Sequence, residues 1–166
     1  MMRLIAIVAA GLALSGCVIA DVTELADTST PSVIQRAYAS PTAFYAKHIV
    51  IPPGYATIRL PGIIPDADAF GADTEAQAEN VFAKIAAALK EASASEADVV
   101  AMTVYLVAPK AGAGMDFDGM MRAYSRRYGT DAQPNRPVRS TVEVAGLVRP
   151  GVLVEIEVTA AVPAIR

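Results

Sequence analysis

The sequence predicts one α+β domain in which two helices pack on one face of a mixed β-sheet. Two stretches repeat apolar residues at helical spacing, and the other apolar stretches are short and rich in β-branched or alternating residues. In chain order these elements are β-β-α-β-α-β-β, an order that suits a two-layer sandwich. A chain of 166 residues is also an ordinary length for one domain.

Two short strands open the predicted domain. They span His48–Ile51 and Ala56–Leu60, with Pro52-Pro53-Gly54 between them as a turn. The segment Pro61–Pro65 follows, and its prolines are expected to end the second strand.

The clearest helix is predicted over Asp73–Ala92. Thr74 and Gln77 have the spacing of a capping box, and an apolar stripe follows. The stripe consists of Val81, Phe82, Ile85 and Leu89. A second amphipathic helix is predicted over Asp116–Tyr128, with Gly129 placed to end it. Its apolar positions are Phe117, Met121, Tyr124 and Tyr128.

Three further strands complete the predicted sheet. Asp98–Val107 is rich in β-branched residues and reads as a buried strand. Val138–Val144 and Val152–Val158 alternate apolar and polar residues, so each presents one apolar and one polar face.

The first residues resemble an export signal rather than a part of the domain. Met1-Met2-Arg3 gives a positive start, Leu4–Leu14 is uncharged and apolar, and Leu14-Ser15-Gly16-Cys17 fits the bacterial lipobox. We therefore expect a signal peptide over residues 1–16, lipid attachment at Cys17, a tether over 17–41 and the domain over 42–166. An ordinary cleaved signal with an incidental cysteine, or a buried core cysteine, is the alternative.

The composition excludes several classes of site. The formal net charge is −3 and no run of basic residues is present, which argues against a nucleic-acid partner. No Ser/His/Asp order, paired-cysteine metal motif or glycine-rich phosphate loop occurs in the sequence.

Alternation suggests one candidate site. Arg139 and Thr141 share a strand face, and Glu155 belongs to the next strand of an expected hairpin. Arginine suits bidentate capture of a carboxylate, and a nearby glutamate can hold or deprotonate a water. On the pattern alone, these residues could equally form the solvated face of a strand.

The end of the chain resembles the RidA family. Pro137-Val138-Arg139-Ser140 is similar to the family's Pro-x-Arg-Ser opening, and Val154-Glu155-Ile156-Glu157 to its closing strand. Gly62-Ile63-Ile64-Pro65 resembles its Gly-Gln-Ile-Pro turn, and Tyr124 with Tyr128 resembles the end of its second helix.

The resemblance implies a chorismate-mutase-like fold, a homotrimer with pockets between subunits, and hydrolysis of 2-enamine or 2-imine acids to 2-keto acids and ammonia. It implies no metal or organic cofactor. In that interpretation Arg139 clamps the substrate carboxylate with help from the Gly62 N–H, and Glu155 positions the attacking water. Thr141 and Tyr124 are further expected site residues.

Several positions depart from the family. Thr141 stands where the best-known members have cysteine, Pro61 replaces a serine, and Ile63 replaces a glutamine. The family's N-terminal tyrosine motif is absent, and Tyr45 and His48 are candidates for its place.

Two functions therefore remain open: an imine deaminase, and a non-catalytic module that binds small carboxylates. The endoribonuclease label attached to the family fits an acidic, exported chain poorly. The expected location is the periplasmic side of the outer membrane.

Overall fold

The fold is mixed α and β, as the sequence predicts. The computed structural model describes residues 31–164, so Cys17 and the lipobox lie outside the described residues. The elements are β1 Gln35–Ala37, β2 His48–Val50, β3 Tyr55–Ile63, α1 Thr74–Glu91, β4 Val99–Leu106, α2 Phe117–Ser125, β5 Val138–Glu143 and β6 Val154–Pro163. Neither helix in this part of the chain is long and apolar enough to cross a membrane.

The main sheet has four strands in the order β3-β6-β4-β5. Strand β6 runs antiparallel to both β3 and β4, whereas β4 and β5 are parallel. A parallel pair needs a crossover, and the segment containing α2 supplies it. The expected hairpin between β5 and β6 is therefore wrong, because β4 lies between them. Strand β6 takes the inner position, where its alternate buried residues pack under the helices.

The first two predicted strands also belong to different sheets. Strand β2 pairs with β1 in a separate two-stranded sheet, and β3 lies at an edge of the main sheet. Strand β1 falls in the predicted tether, so regular structure begins earlier than expected. The guanidinium of Arg36 fixes it to the domain by donating hydrogen bonds to the carbonyls of Ala97 and Val99, each at 3.0 Å.

Strand β3 continues through Pro61 to Ile63, so the prolines do not end it where expected. Its pairing with β6 shifts register between Leu60 and Ile63. Because β3 is an edge strand with an irregularity at this point, a residue without an N–H is tolerated there.

Both helices cover one face of the main sheet and form a single core with it. The predicted capping box is wrong. The cap of α1 is Asp73, whose side chain accepts from the Ala76 N–H at 2.8 Å. The fully buried Gln77 instead donates to the carbonyls of Ala72 and Gly151 and accepts from the Leu153 N–H, which ties α1 to the start of β6.

Candidate active site

Strand alternation divides the predicted site residues between the two faces of the main sheet. Met102 is buried under the helices, and Arg139 is its partner in register, so Arg139 faces the helix side. Thr141 lies on the same side, in register with the buried Val104. Ser140 and Val142 face the side that no helix covers, which we call the open face.

The guanidinium of Arg139 is held between aromatic rings. Its central carbon lies 4.3 Å from the centroid of the Tyr124 ring and 5.9 Å from that of Phe117. Both distances suit cation–π attraction, which strengthens as water is removed. Burial lowers the pKa of Arg139 from its ordinary value, but the guanidinium of an arginine stays charged near pH 7. No carboxylate within residues 31–164 forms an ion pair with it.

Two polar atoms on this side of β5 are buried without a hydrogen-bond partner. They are Nη1 of Arg139 and Oγ1 of Thr141. Burying an unpaired polar group is costly, and the cost is higher for a charged one. Their presence on one strand face identifies the region around Arg139 as the place where a polar ligand or an ordered water is most needed.

Tyr124 supports Arg139 from the core, and its direct contact with a substrate stays a prediction. The residue is fully buried, and its hydroxyl donates to the carbonyl of Phe44 at 2.7 Å. Its ring also stacks on Tyr128, with the centroids 4.9 Å apart. Burial raises the pKa of Tyr124 to about 12, so the phenol is neutral at ordinary pH.

Glu155 and Gly62 meet on the other side of the sheet. Glu155 is half-buried on β6 and pairs in register with Tyr105 of β4. A Cβ atom added to Gly62 would overlap the Glu155 carboxylate. The absence of a side chain at position 62 is therefore what lets the carboxylate lie against the backbone of β3.

Arg139 and Glu155 do not meet within one chain. Arg139 is level with Met102 and Val158, while Glu155 is level with Tyr105, on strands separated by β4. From ordinary strand spacing, their Cα atoms are roughly 14 Å apart, and their side chains leave opposite faces. The residues expected to form one cluster thus lie in two separate pairs, which we call half-sites: Arg139 with Thr141, and Gly62 with Glu155.

The segment from Phe44 to Lys47 runs beside the Arg139 half-site. The Ala46 N–H donates to the Pro137 carbonyl at 2.9 Å, which fixes this segment against the start of β5. Tyr45 is exposed and lines a cleft together with Arg139 and Ser140. His48 lies exposed on β2, and it does not line this cleft. Of the two candidates for the missing tyrosine, only Tyr45 is therefore placed beside Arg139.

The sequence pattern does not reveal the surroundings of two further side chains, Phe117 and Tyr105. Phe117 reads as a core position of α2, yet it is partly exposed and flanks the guanidinium of Arg139. Tyr105 reads as part of a buried strand, yet its hydroxyl donates to Glu157 at 3.1 Å on the open face. The alternation of residues along β4 predicts that Tyr105 lies on the face opposite the core. It does not predict that β6 pairs with β4, and this pairing is what brings Glu157 to Tyr105.

Residues 40–162 match the family model described as Endoribonuclease L-PSP. A comparison with curated protein sequences finds no significant match.

Solved structures support the same relationship. Rv2704 of Mycobacterium tuberculosis, described as a member of the YjgF/YER057c/UK114 family, is 26% identical, with a TM-score of 0.52 over 78% of this chain and 99% of that one. Escherichia coli TdcF with bound serine is 25% identical, with a TM-score of 0.52 over 78% and 98% of the two chains. YyfB of the Rid protein family from Yersinia pestis shares the fold, at 23% identity and a TM-score of 0.58 over 80% and 96%. These proteins match over nearly their whole length.

Proposed function

The chain belongs to the endoribonuclease L-PSP family, the group that also carries the names YjgF and Rid, and from this premise we propose that it hydrolyses 2-enamine or 2-imine acids to 2-keto acids and ammonia. The observation that carries the proposal is the half-buried Arg139, whose Nη1 lacks a partner and whose charge has no carboxylate paired with it in residues 31–164. A substrate carboxylate would accept a hydrogen bond from Nη1 and would also balance the charge of the guanidinium.

Because the imine carbon is already electrophilic, the main contribution of the protein to the proposed reaction is to position the substrate and the water. In the proposed reaction Arg139 holds the carboxylate of the imino acid, which places the electrophilic imine carbon. Glu155 accepts a proton from a water, whose oxygen bonds to that carbon. The imine nitrogen takes up that proton from Glu155 and then the proton of the added hydroxyl, the carbon–nitrogen bond breaks as the carbonyl forms, and ammonia leaves the keto acid. Thr141, whose hydroxyl can donate or accept, would hydrogen-bond the bound acid.

The two half-sites would be joined by a second copy of the chain. Arg139 lies on the edge strand β5, and Gly62 lies on the opposite edge strand β3. A head-to-tail contact between copies brings one edge beside the other, and such contacts close into rings. We therefore propose a homotrimer with a site in each cleft between subunits.

The serine bound to Escherichia coli TdcF supports a site for small acids that carry a carboxylate and an amino group. That ligand belongs to TdcF. It is relevant here because an imino acid has the same carboxylate and a nitrogen on the same carbon.

A non-catalytic carboxylate-binding module is the second candidate. It is favoured by Pro61, which stands next to Gly62 and has neither a hydroxyl nor an N–H to donate. In that case Arg139 would bind a keto acid without turnover.

An RNA-directed activity is disfavoured by the charges. The basic residues of and after α2 are paired with glutamates of α1 and of the turn before β4. These pairs join Arg122 and Arg126 to Glu75, Arg126 and Arg127 to Glu79, and Arg127 to Glu96. Each of these three arginines thus has a carboxylate partner, so α2 and the residues after it do not present a cluster of unpaired arginines to a phosphate backbone.

We further propose that the chain is exported and attached to the outer membrane by lipid on Cys17. The support is the apolar run that ends at Leu14-Ser15-Gly16-Cys17. Loss of membrane association in a Cys17→Ser variant, measured by fractionation of cells, tests this.

The activity is tested by generating 2-iminopropanoate with an amino-acid oxidase and timing its decay with the chain from Val18 onward. The imine should decay faster with protein, and Arg139→Ala should return the rate to background. Arg149→Ala, which removes an exposed arginine of the loop between β5 and β6, is the matched control and should behave as wild type. Carboxylate binding without faster decay would support the binding module instead.

A further inference from the structure

An apolar groove lies between α2 and the segment from Phe44 to Lys47. Its volume is about 580 Å³, and its apolar lining consists of Phe44, Phe117 and Met121. Phe44 is 55% exposed and Phe117 is 38% exposed, so two aromatic side chains of the groove are in contact with water. An apolar group that displaced this water would be bound favourably.

The groove lies directly beside the guanidinium of Arg139. Phe117, Met121 and Tyr124 occupy positions i, i+4 and i+7 of α2, so they form one stripe along the helix. The guanidinium contacts the rings at the two ends of this stripe, and Met121 lies between them. Phe117 therefore belongs both to the groove and to the surroundings of Arg139.

The groove is long enough for a side chain of ordinary size. Along α2 it reaches from Phe117 to Ser125, which is roughly 12 Å at the rise of an α-helix. Its other side is held in place by the hydrogen bond from the Tyr124 hydroxyl to the Phe44 carbonyl, at 2.7 Å. A ligand whose carboxylate is bound to Arg139 therefore has a fixed apolar groove next to it.

The polar residues of the groove favour an uncharged side chain. Arg122 is paired with Glu75, and Arg126 is paired with Glu75 and Glu79, so both arginines already have carboxylate partners. Asp118 also lines the groove and would repel a second carboxylate on the ligand. A cationic side chain would meet the two arginines.

We propose that this groove binds the side chain of the acid whose carboxylate Arg139 holds, and that the protein prefers acids with a large apolar side chain. Side chains of the size of those of leucine and phenylalanine would cover the exposed rings, whereas a methyl group would leave them in water. The proposal rests on the proposed function for the position of the carboxylate, and it adds the class of substrate.

Keto acids test this preference without turnover, because the products of the proposed reaction keep the carboxylate and the side chain. In calorimetric titrations of the protein, 4-methyl-2-oxopentanoate and phenylpyruvate should bind at least about ten-fold more tightly than pyruvate, since each buries several more apolar carbons. The affinity for 2-oxoglutarate, which carries a second carboxylate, should not exceed that for pyruvate.

Two variants change the groove from its two sides. Phe44→Ala removes an exposed ring but leaves the backbone carbonyl that bonds to Tyr124. Ser125→Trp fills part of the groove from an exposed position of α2. Each should lower the ratio of the affinities for 4-methyl-2-oxopentanoate and pyruvate by about five-fold. Val148→Ala is the matched control, since Val148 is 71% exposed in the loop between β5 and β6, and it should keep the wild-type ratio.

The proposal is overturned if pyruvate binds as tightly as the larger keto acids, or if both groove variants keep the wild-type ratio. It is also overturned if light scattering shows that either variant lowers the number of copies in the assembly, since a second copy of the chain then covers the groove.

The imine assay separates these outcomes from a failure of the proposed function. Faster decay of 2-iminopropanoate together with equal affinities for all the keto acids would contradict the substrate class alone. Tighter binding of the larger keto acids with no faster decay of any imine would support the groove and contradict the hydrolysis. A protein that binds none of these acids would contradict both.

Discussion

Arg139 and Glu155 lie on opposite faces of the main sheet, on strands that are separated by β4. The proposed clamp and the proposed base therefore cannot act on one small substrate within a single chain. Each has its own support: two aromatic rings beside the guanidinium, and a glycine against the carboxylate. The proposed function thus depends on assembly of several copies of the chain.

The first prediction concerns the contact between Gly62 and Glu155. Gly62→Ala should lower kcat/KM at least about ten-fold, because the added methyl overlaps the carboxylate and displaces the proposed base. Gly146→Ala is the control, since a Cβ there meets no atom within 4 Å, and it should keep full activity. The measurement is the rate of imine decay with each of the two variants. Full activity in Gly62→Ala would mean that the position of Glu155 is unimportant.

The second prediction separates stability from function at Thr141. Thr141→Val should raise the free energy of unfolding by about 1 kcal/mol, because it removes a buried hydroxyl that has no partner. The same change should lower imine turnover if the hydroxyl bonds the bound acid. Urea unfolding and the decay assay give the two readings. A loss of stability would instead show that the hydroxyl is satisfied, for example by an ordered water.

The third prediction concerns alkaline pH. Burial raises the pKa of Tyr124 to about 12 and raises that of Tyr128 as well. An unfolded tyrosine loses its proton near pH 10, so above that pH the unfolded state binds fewer protons than the folded one. The contribution of Tyr124 to the free energy of unfolding is therefore fully present below about pH 10. It is lost as the pH rises toward 12, which lowers the free energy of unfolding by about 2 to 3 kcal/mol.

Tyr124→Phe tests this account of alkaline pH and also the role of the ring. At neutral pH the free energy of unfolding of the variant should be about 1 kcal/mol lower, because the hydrogen bond to the Phe44 carbonyl is lost. Above pH 10 its free energy of unfolding should fall less steeply than that of the wild type. Because the ring beside Arg139 is retained, imine turnover should stay near the wild-type rate. A large loss of turnover would show that the hydroxyl, and not only the ring, serves the site.

Much of the fold follows from local patterns. Helices α1 and α2 lie where the apolar stripes predict them, and β4, β5 and β6 lie where β-branching and alternation do. What local patterns do not determine is which strands pair. The hairpin expected between β5 and β6 assumes that neighbours in sequence are neighbours in space, and the α2 crossover defeats that assumption by placing β5 parallel to β4.

Strand pairing also decides which residues of the candidate site can be predicted from local patterns. Alternation places Arg139 and Thr141 on one face correctly, but the face that Glu155 shares depends on its register with Tyr105. Gly62 reads as part of a turn, and its contact with Glu155 appears only when β3 is paired with β6. Local patterns do not predict strand β1, because it has three residues with one apolar side chain and forms only by pairing with β2.

Activity in a mixture of two inactive variants tests the central claim most directly. Arg139→Ala and Glu155→Gln should each be inactive alone, and the pair should be unfolded together, refolded and assayed for imine decay. If each site takes Arg139 from one copy and Glu155 from another, random mixing makes roughly a quarter of the sites complete, so roughly a quarter of the wild-type rate should return. A mixture that stays at background while refolded wild type is active would contradict a site shared between subunits, and wild type that leaves the decay rate unchanged would contradict the proposed reaction itself.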